Sequence, residues 1–440
     1  MLRLQLEQAG LLQDFARLCN LETCAAGLVF PSANSARERT FVARELQEVP
    51  DHAYLERTRT GASLRPEFCT GIANRARAVG AGILLAHTHV GESPLEGFSD
   101  TDDRGEGPLA EYFGRRLGGH ANFTAVVTPN KIHVRQLGAG ALHNVALIGR
   151  SVIQATPIPG ESSDMHDRQV RAFGHAGQAA LADLRVAIVG LGGTGSVVAQ
   201  QLAYLGVSNF LLMDPDSIEI TNLNRLVGAT PGSIGRSKVA VACENVTTIN
   251  PRADCTLMQE DVVKHGVAEA LKLADFIFCC TDSMASRAVL NQFAYQHLIP
   301  CIDMGIGIGT RDGAISYIAG RVQMLSPGLP CLVCTDKLDA DQVRFEMLSE
   351  SQRAADPYIK GVAVPQPAVI SLNSTMASTA VTMFLAAVTG IPSAARMLTY
   401  DGMLGTVRAV AMRPRQRCIV CSEDGALARG DSWVLPSRVA

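Results

Sequence analysis

Net charge of either sign is nearly absent from this sequence: its 440 residues sum to −3 at pH 7. So small a balance gives no basis for bulk nucleic-acid binding or for attraction to an anionic membrane. Long apolar runs are missing too. The stretch MLRLQLEQAGLLQDFARLC carries Arg, Glu and Asp at helical intervals, without the uninterrupted apolar core of a secretion signal. The most apolar late stretch, STMASTAVTMFLAAVTG, is interrupted by hydroxyl residues and short for a bilayer span, so it reads as a buried helix. Internal repeats and low-complexity tracts do not occur. The twelve cysteines are mostly single, with two C-x-x-C pairs. Without an export signal, that pattern predicts reduced thiols, metal binding and a cytoplasmic location rather than a disulfide framework. What remains is an ordinary globular composition, 47% hydrophobic and 18% charged, long enough for two or three domains.

Two prolines, a glycine and two serines cluster in TPIPGESSD, which places a linker at 156–164 between domains at 1–155 and 165–440. The first part holds an amphipathic start, a strand-like AAGLVF, a helix near Glu67–Val79 and a strand AGILLAH. FTAVVTP and KIHVRQL follow as late strands of the same sheet, which together predict a small α+β domain. The second part alternates: strand LRVAIVG, helix GSVVAQQLAYLG, strand NFLLMD, then strands in ADFIFCCTD and IPCIDMGIG. Such alternation predicts an α/β fold with a doubly wound, mainly parallel sheet.

His87 and His89 stand one residue apart at the end of AGILLAH, and the acidic stretch FSDTD follows. In extended backbone, residues i and i+2 face the same way, so both imidazoles can reach one ion. A third ligand from the next loop would complete an open three-ligand zinc, whose bound water is acidified to near neutrality. A glutamate suits the role of base toward that water. By themselves, two loop histidines beside solvated acids are an equally ordinary pattern.

The combination of LETCAAGLVF, H-T-H and FSDTD resembles the JAMM (JAB/MPN) metalloproteases, over residues 1–150, and implies their cytidine-deaminase-like sheet. The resemblance implies His87, His89 and Asp102 as zinc ligands, Ser99 as the hydroxyl steadying a tetrahedral intermediate and Glu22 as the base. Asp100 is the alternative third ligand; the S-x-x-D relation selects Asp102. Val90 replaces the proline usual after the second histidine, and Ala25 replaces the glycine usual after Thr23-Cys24.

GLGGTGS, Gly190 to Ser196, follows an apolar strand and opens a helix. Its glycines Gly190, Gly192, Gly193 and Gly195 admit a phosphate close to the backbone, and the helix N-terminus favours the phosphate's charge. Asp214, at the end of the next strand, is placed to bind a ribose. NAD, FAD and ATP all suit this arrangement.

The ordered stretches HDRQVRAFG, GLGGTGS, DPDSIEITNLNRLVG, GRSKVAVA and CCTDSMASRAVLN resemble the ThiF/MoeB superfamily of ubiquitin-like-protein activating enzymes, with a Rossmann-like fold. The resemblance implies ATP and magnesium as cofactors and adenylation of a C-terminal carboxylate. It implies Arg225 and Lys238 on the triphosphate, Asn222 positioning it and Asp214 on the ribose. Asp282 would organise magnesium, and Arg168 would reach across a homodimer formed by this domain.

Cys331-x-x-Cys334 and Cys418-x-x-Cys421 are two knuckles whose four thiolates would close a structural zinc, so the predicted metals are one catalytic and one structural zinc. The segment TDKLDADQVRFEMLSESQRAADPYIKGVAVPQPAV, where thioester-forming activating enzymes usually carry a cysteine, has none. A separate thiol acceptor or conjugating enzyme is therefore the expected next partner, and Cys279, Cys280 and Cys301 read as core residues.

Together the two parts imply a two-step enzyme. Zinc-dependent cleavage after a C-terminal Gly-Gly, by precursor trimming or deconjugation, would be joined to ATP-dependent adenylation of the glycine carboxylate of a ubiquitin-like protein. The alternative is a sulfur-carrier-protein adenylyltransferase, which leads to a thiocarboxylate and uses the N-terminal domain only for docking. Neither nucleic acid nor membrane is an expected partner.

Overall fold

The computed structural model describes residues 1–34, 39–91, 96–154, 164–349, 352 and 367–438. The chain divides into two compact units. The predicted linker at 156–164, apart from Asp164, lies outside the described residues.

Unit one comprises Met1–Thr156 together with Gln296–Leu298 and Ala426–Val434. Its strands are β1 (Leu2–Gln5), β2 (Cys24–Asn34), β3 (Arg39–Glu48), β4 (Tyr54–Arg57), β5 (Ala62–Leu64), β6 (Gly82–Thr88), β7 (Phe123–Val127), β8 (Ile132–Gln136), β9 (Leu142–His143), β10 (Val145–Ile148) and β11 (Val152–Gln154). Its helices are α1 (Leu6–Leu18), α2 (Pro66–Ala78) and α3 (Asp100–Arg116). Nine strands form one sheet in the order β11-β10-β1-β3-β2-β6-β7-β8-β9, and β4 and β5 pair separately. Strand β6 lies inside the sheet, antiparallel to β2 and parallel to β7. Its residues are buried almost throughout, which is why the sequence there is a continuous apolar run rather than an alternation. Leu2, Leu4, Leu84, Phe123 and Val134 anchor a core under this sheet.

Two late segments depart from the expected division at residue 165, and hydrogen bonds explain why. Gln296 Nε2 donates to the carbonyls of Gly430 (2.8 Å) and Trp433 (2.7 Å). Arg3, itself buried, donates to the His297 carbonyl at 3.3 Å. Ser32 Oγ and His297 Nδ1 lie 3.0 Å apart.

Unit two comprises Pro157–Tyr295, Ile299–Gly425 and Leu435–Ala440. It runs α4 (Asp167–Asp183), β12 (Arg185–Val189), α5 (Gly195–Tyr204), β13 (Asn209–Met213), α6 (Lys238–Ile249), β14 (Asp254–Met258), β15 (Phe276–Cys279), α7 (Met284–Gln296), β16 (Cys301–Arg311), β17 (Ala314–Leu325), α8 (Ala340–Met347), α9 (Ile370–Val388), β18 (Met397–Asp401) and β19 (Thr406–Ala409). The sheet order is β14-β13-β12-β15-β16-β17-β18-β19. Strands β14 to β16 pair in parallel. From β16 onward every pairing is antiparallel. The expectation of a mainly parallel sheet holds for the five strands from β14 to β16 and not beyond them: the sheet is mixed, with β17, β18 and β19 added as an antiparallel meander. The physical reason is connection length, because β16 and β17 are joined by the two residues Asp312-Gly313, enough for a hairpin and far too few for a crossover.

Helix α9 is the apolar stretch read as a buried helix. By length and composition it could cross a membrane, yet half of its apolar window is buried within the fold. Met376, Ala380 and Phe384 are buried, and Phe384 packs edge-on against Phe276 and Phe278 of β15. Its hydroxyls Thr375, Thr379 and Thr382 donate to carbonyls four residues back, so they need no other partner.

Candidate functional site

In unit one, His87 near the end of β6 and His89 just past it come to one place, and the N-terminus of α3 delivers Asp102. Ser99 caps α3: its hydroxyl accepts the Asp102 N–H at 3.2 Å, while Asp102 Oδ2 accepts from the Ser99 N–H (2.6 Å) and Oγ (2.7 Å). This reciprocal capping box leaves Asp102 Oδ1 at 2.9 Å from His87 Nε2. Asp102 Oδ2 is 3.5 Å from His89 Nε2, and the two Nε2 atoms are 3.3 Å apart. Asp100 instead points outward as an exposed first-turn residue of α3. Ser99 Oγ is occupied by the cap.

Ligands about 2.0–2.1 Å from a tetrahedral zinc stand roughly 3.3 Å from one another, so the donor set and spacing fit that metal. Burial opposes ionisation of Asp102, but hydrogen bonds from both histidines and their charge outweigh it and hold the carboxyl well below its ordinary range. Glu22 is 6% exposed. Burial raises its pKa, against the lowering influence of His87 and His89, which is the direction a proton acceptor working near neutrality requires.

Sequence reading missed what fixes Glu22. Arg57 Nε donates to the Glu22 carbonyl at 2.8 Å, and Arg57 Nη2 donates to Thr23 Oγ1 at 2.6 Å. Thr88, between the two histidines on the opposite face of β6, accepts the Thr23 N–H at 2.9 Å. Cys24 is no nucleophile: burial pushes its thiol up to about 12.

In unit two, the chain turns from β12 into α5 through the glycine loop. Gly190 has φ +90°, where an L side chain is strained. A Cβ on Gly195 would lie 1.9 Å from the Gly190 carbonyl oxygen. Gly195→Ala is therefore expected to destabilise unit two by about 1–3 kcal/mol and to weaken ATP binding, checked by thermal melts with and without nucleotide. Gly192 has open space around it, while a Cβ on Gly193 would meet Asn373 Nδ2 at 2.2 Å and Arg225 Cδ at 3.3 Å. Arg225 thus lies against the loop, with Nη1 donating to the Thr221 carbonyl at 2.7 Å.

Asp214, 4% exposed, accepts the Leu191 N–H at 2.6 Å and the Asp216 N–H at 2.9 Å. Burial raises its pKa, partly offset by Lys238. Lys238 Nζ is 2.7 Å from Asp216 Oδ2 and 3.6 Å from Asp214 Oδ1. Asn222 Oδ1 accepts the Glu219 N–H at 3.0 Å, stabilising the turn that presents Arg225. Asp282 is exposed just before α7. Arg168 is exposed in the first turn of α4, a helix kinked at Gly174, and it does not join this cluster. Asn373 escaped sequence reading because only the fold brings it to the loop, whereas Asp216, two residues after Asp214 in DPDSIEITNLNRLVG, was passed over.

The four knuckle cysteines are buried and free, with their sulfurs within 4.8 Å of one another. Cys331 Sγ is 3.7 Å from Cys334 Sγ and 3.5 Å from Cys418 Sγ, and Cys334 Sγ is 3.4 Å from Cys421 Sγ. Thiolates about 2.3 Å from a tetrahedral zinc would be roughly 3.8 Å apart, so four soft donors at this spacing fit a structural zinc. A hydrogen bond from Cys421 draws Cys331 below the usual thiol range, against its burial, and the Arg415 N–H donates to Cys334 Sγ at 3.3 Å. Burial raises the thiol pKa of Cys279, Cys280 and Cys301, the behaviour of core residues.

Residues 166–420 match the model of the ThiF family. The chain belongs to the ThiF family. This ThiF-family chain is 29% identical over 262 residues to the molybdopterin-synthase adenylyltransferase of Escherichia coli K12, covering 59% of its own length and 96% of the relative's. It is 27% identical over 252 residues to the sulfur carrier protein ThiS adenylyltransferase of the same organism, covering 57% and 90%. With the SAMP-activating enzyme E1 of Haloferax volcanii it shares 29% identity over 253 residues, covering 57% and 85%. The family match does not reach residues 1–165 and lends no support to the metalloprotease resemblance there, which leaves His87, His89 and Asp102 as a donor group that could hold a metal.

Proposed function

We propose that this chain adenylates the C-terminal glycine carboxylate of a ubiquitin-like sulfur-carrier protein, using ATP. The observation that carries the reading is the convergence of the glycine loop, Asp214, Lys238 and Arg225 within a ThiF-family match. The relatives' names, adenylyltransferases of molybdopterin synthase and of a sulfur carrier, favour a carrier over a conjugated modifier.

A carboxylate oxygen of the carrier attacks the α-phosphorus, the bond to the bridging oxygen breaks, and pyrophosphate leaves. The loop backbone lies close to the phosphates because Gly190 and Gly195 admit no side chain. Arg225 and Lys238 face the charge that develops on the phosphates, and preorganised cations there lower the barrier. Asp214 accepts from the ribose while its two backbone donors keep the carboxylate oriented. Magnesium, when bound, would neutralise charge on the leaving pyrophosphate; exposed Asp282, which follows the Cys280–Thr281 backbone lying against Gly190 of the loop, would hold it. Arg168 would serve a second copy in a homodimer. The product is a mixed anhydride, which a separate sulfur donor or thiol acceptor then consumes.

The test is mass spectrometry of the carrier after reaction with ATP. An AMP-bearing C-terminus, converted to a thiocarboxylate when sulfide is added, is the expected result. An isopeptide-linked product or an unchanged terminus contradicts the proposal.

A second activity is favoured by one specific observation, the His87–His89–Asp102 triad with buried Glu22 beside it. We propose that unit one binds zinc there and hydrolyses the peptide bond beyond Gly-Gly, exposing the carboxylate that unit two activates. Zinc, when bound, would supply an acidified water. His87, His89 and Asp102 would hold the zinc, and buried Glu22 beside them would serve as the proton acceptor. His87→Ala is expected to remove one zinc equivalent by atomic-emission analysis and to block precursor trimming, while adenylation of a pre-trimmed carrier is unchanged. Undiminished zinc content and trimming would leave unit one as a docking module.

A further inference from the structure

Asp282 is exposed, and its charge acts on the neighbouring Arg287 guanidinium. The backbone that carries it is held on either side. From one side, Arg287 Nη2 donates to the Thr281 carbonyl at 2.9 Å. Arg287 is fixed in turn by fully buried Asp303 (2.7 and 2.9 Å), which also pairs with Arg321.

The other side is held by a residue 64 positions downstream of Asp282. Glu346 Oε2 accepts from Ser283 Oγ at 2.6 Å and from the Ala285 N–H at 2.9 Å. Ser283 is itself the cap of α7, accepting the Ser286 N–H at 3.1 Å, and its own N–H donates to Thr281 Oγ1 at 3.1 Å. Glu346 thus completes the start of α7 from outside that helix, fixing the cap hydroxyl and one of the free first-turn donors together. Its placement is secured separately. Oε1 accepts from Gln342 Nε2 at 2.8 Å, and its carbonyl accepts from Arg438 Nε at 3.1 Å, with Arg438 also paired to Asp261 at 3.2 Å.

We propose that Glu346 is a positioning residue for adenylation: it locks the 281–285 turn so that Asp282 presents its carboxylate to magnesium. This rests on the reading of Asp282 as the magnesium-organising acid. A carboxylate on a free turn must be ordered by the ion it binds, whereas one on a fixed turn is ordered beforehand, and the difference appears as metal-dependent affinity. No charge transfer by Glu346 is involved, so a glutamine, whose amide oxygen accepts the same two hydrogen bonds, should substitute.

The experiment measures binding of the fluorescent nucleotide mant-ATP to the full chain, with saturating magnesium and again with EDTA, for wild type, Glu346→Ala, Glu346→Gln and Asp282→Asn. Glu346→Ala is expected to bind like wild type in EDTA but about 3- to 30-fold more weakly with magnesium, the range that losing one cap interaction corresponds to. Glu346→Gln should regain the wild-type response, and Asp282→Asn should lose it. If Glu346→Ala tightens with magnesium as wild type does while Asp282→Asn does not, the positioning proposal is overturned and the reading of Asp282 survives. Equal weakening of Glu346→Ala in both conditions marks a merely structural role and also overturns it. If Asp282→Asn keeps the magnesium response, the underlying reading fails and the proposal with it.

Discussion

Replacing Lys238 with methionine is expected to lower carrier-dependent ATP–pyrophosphate exchange by about 10²- to 10³-fold, the usual cost of removing one preorganised group that faces developing charge. The effect should fall on kcat more than on KM, because the negative charge that Lys238 offsets grows as pyrophosphate departs. Folding should survive. The methionine keeps the apolar stem that packs in a residue 9% exposed. Asp214, whose pKa burial already raises, retains the Leu191 and Asp216 N–H donors, and Asp216 is largely solvated, at 62% side-chain exposure. A circular-dichroism melt close to wild type beside a collapsed exchange rate is the expected pair of results. Loss of both together would show that the lysine is structural.

The double substitution Cys331→Ser/Cys418→Ser is expected to have the largest effect on stability. The two knuckles are 87 residues apart in sequence and meet at one cluster, so a metal there ties the stretch after β17 to the chain after β19. Structural zinc sites contribute on the order of 10 kcal/mol. A unit of this size loses about 2–4 °C of Tm per kcal/mol, so losing even half of that contribution should lower Tm by about 10 °C or more. Zinc content should fall by one equivalent that His87→Ala does not remove. Cys243→Ser, at a half-exposed cysteine outside the cluster, should change neither value. Retention of both zinc equivalents in the double variant would refute the structural-zinc reading.

Much of the fold was legible where local pattern and burial agree. The runs LRVAIVG, NFLLMD and ADFIFCCTD each form parallel strands, because strands covered on both faces are written as uninterrupted apolar residues. The glycine loop was legible for a different reason: the close backbone approach at Gly195 excludes every larger residue. The meander of β17, β18 and β19 was not legible. The outer half of β17 is exposed and β19 is short and mostly exposed, so neither carries a buried apolar pattern. Gly307 and Gly309 let β16, whose first part reads as a strand, pass close to Tyr317 of β17.

Within the sites, residues that touch substrate chemistry were readable as motifs, and those that hold them were not. Arg57 acts on Glu22 across 35 positions and Glu346 on Ser283 across 63. No spacing rule spans such separations, since the register between elements is set by the folded sheet rather than by local sequence. The same is true of Gln296–Leu298 and Ala426–Val434, which belong with unit one through hydrogen bonds that leave no local sequence signature.

The central claim is carrier adenylation by unit two, and ATP–pyrophosphate exchange tests it most directly. The full chain should be assayed with a panel of ubiquitin-like sulfur carriers ending in Gly-Gly, each paired with a version lacking the last glycine. The account predicts exchange that requires the intact Gly-Gly terminus and ATP, disappears in Lys238→Met and persists in His87→Ala. Exchange indifferent to the terminal glycine, or undiminished in Lys238→Met, would contradict it.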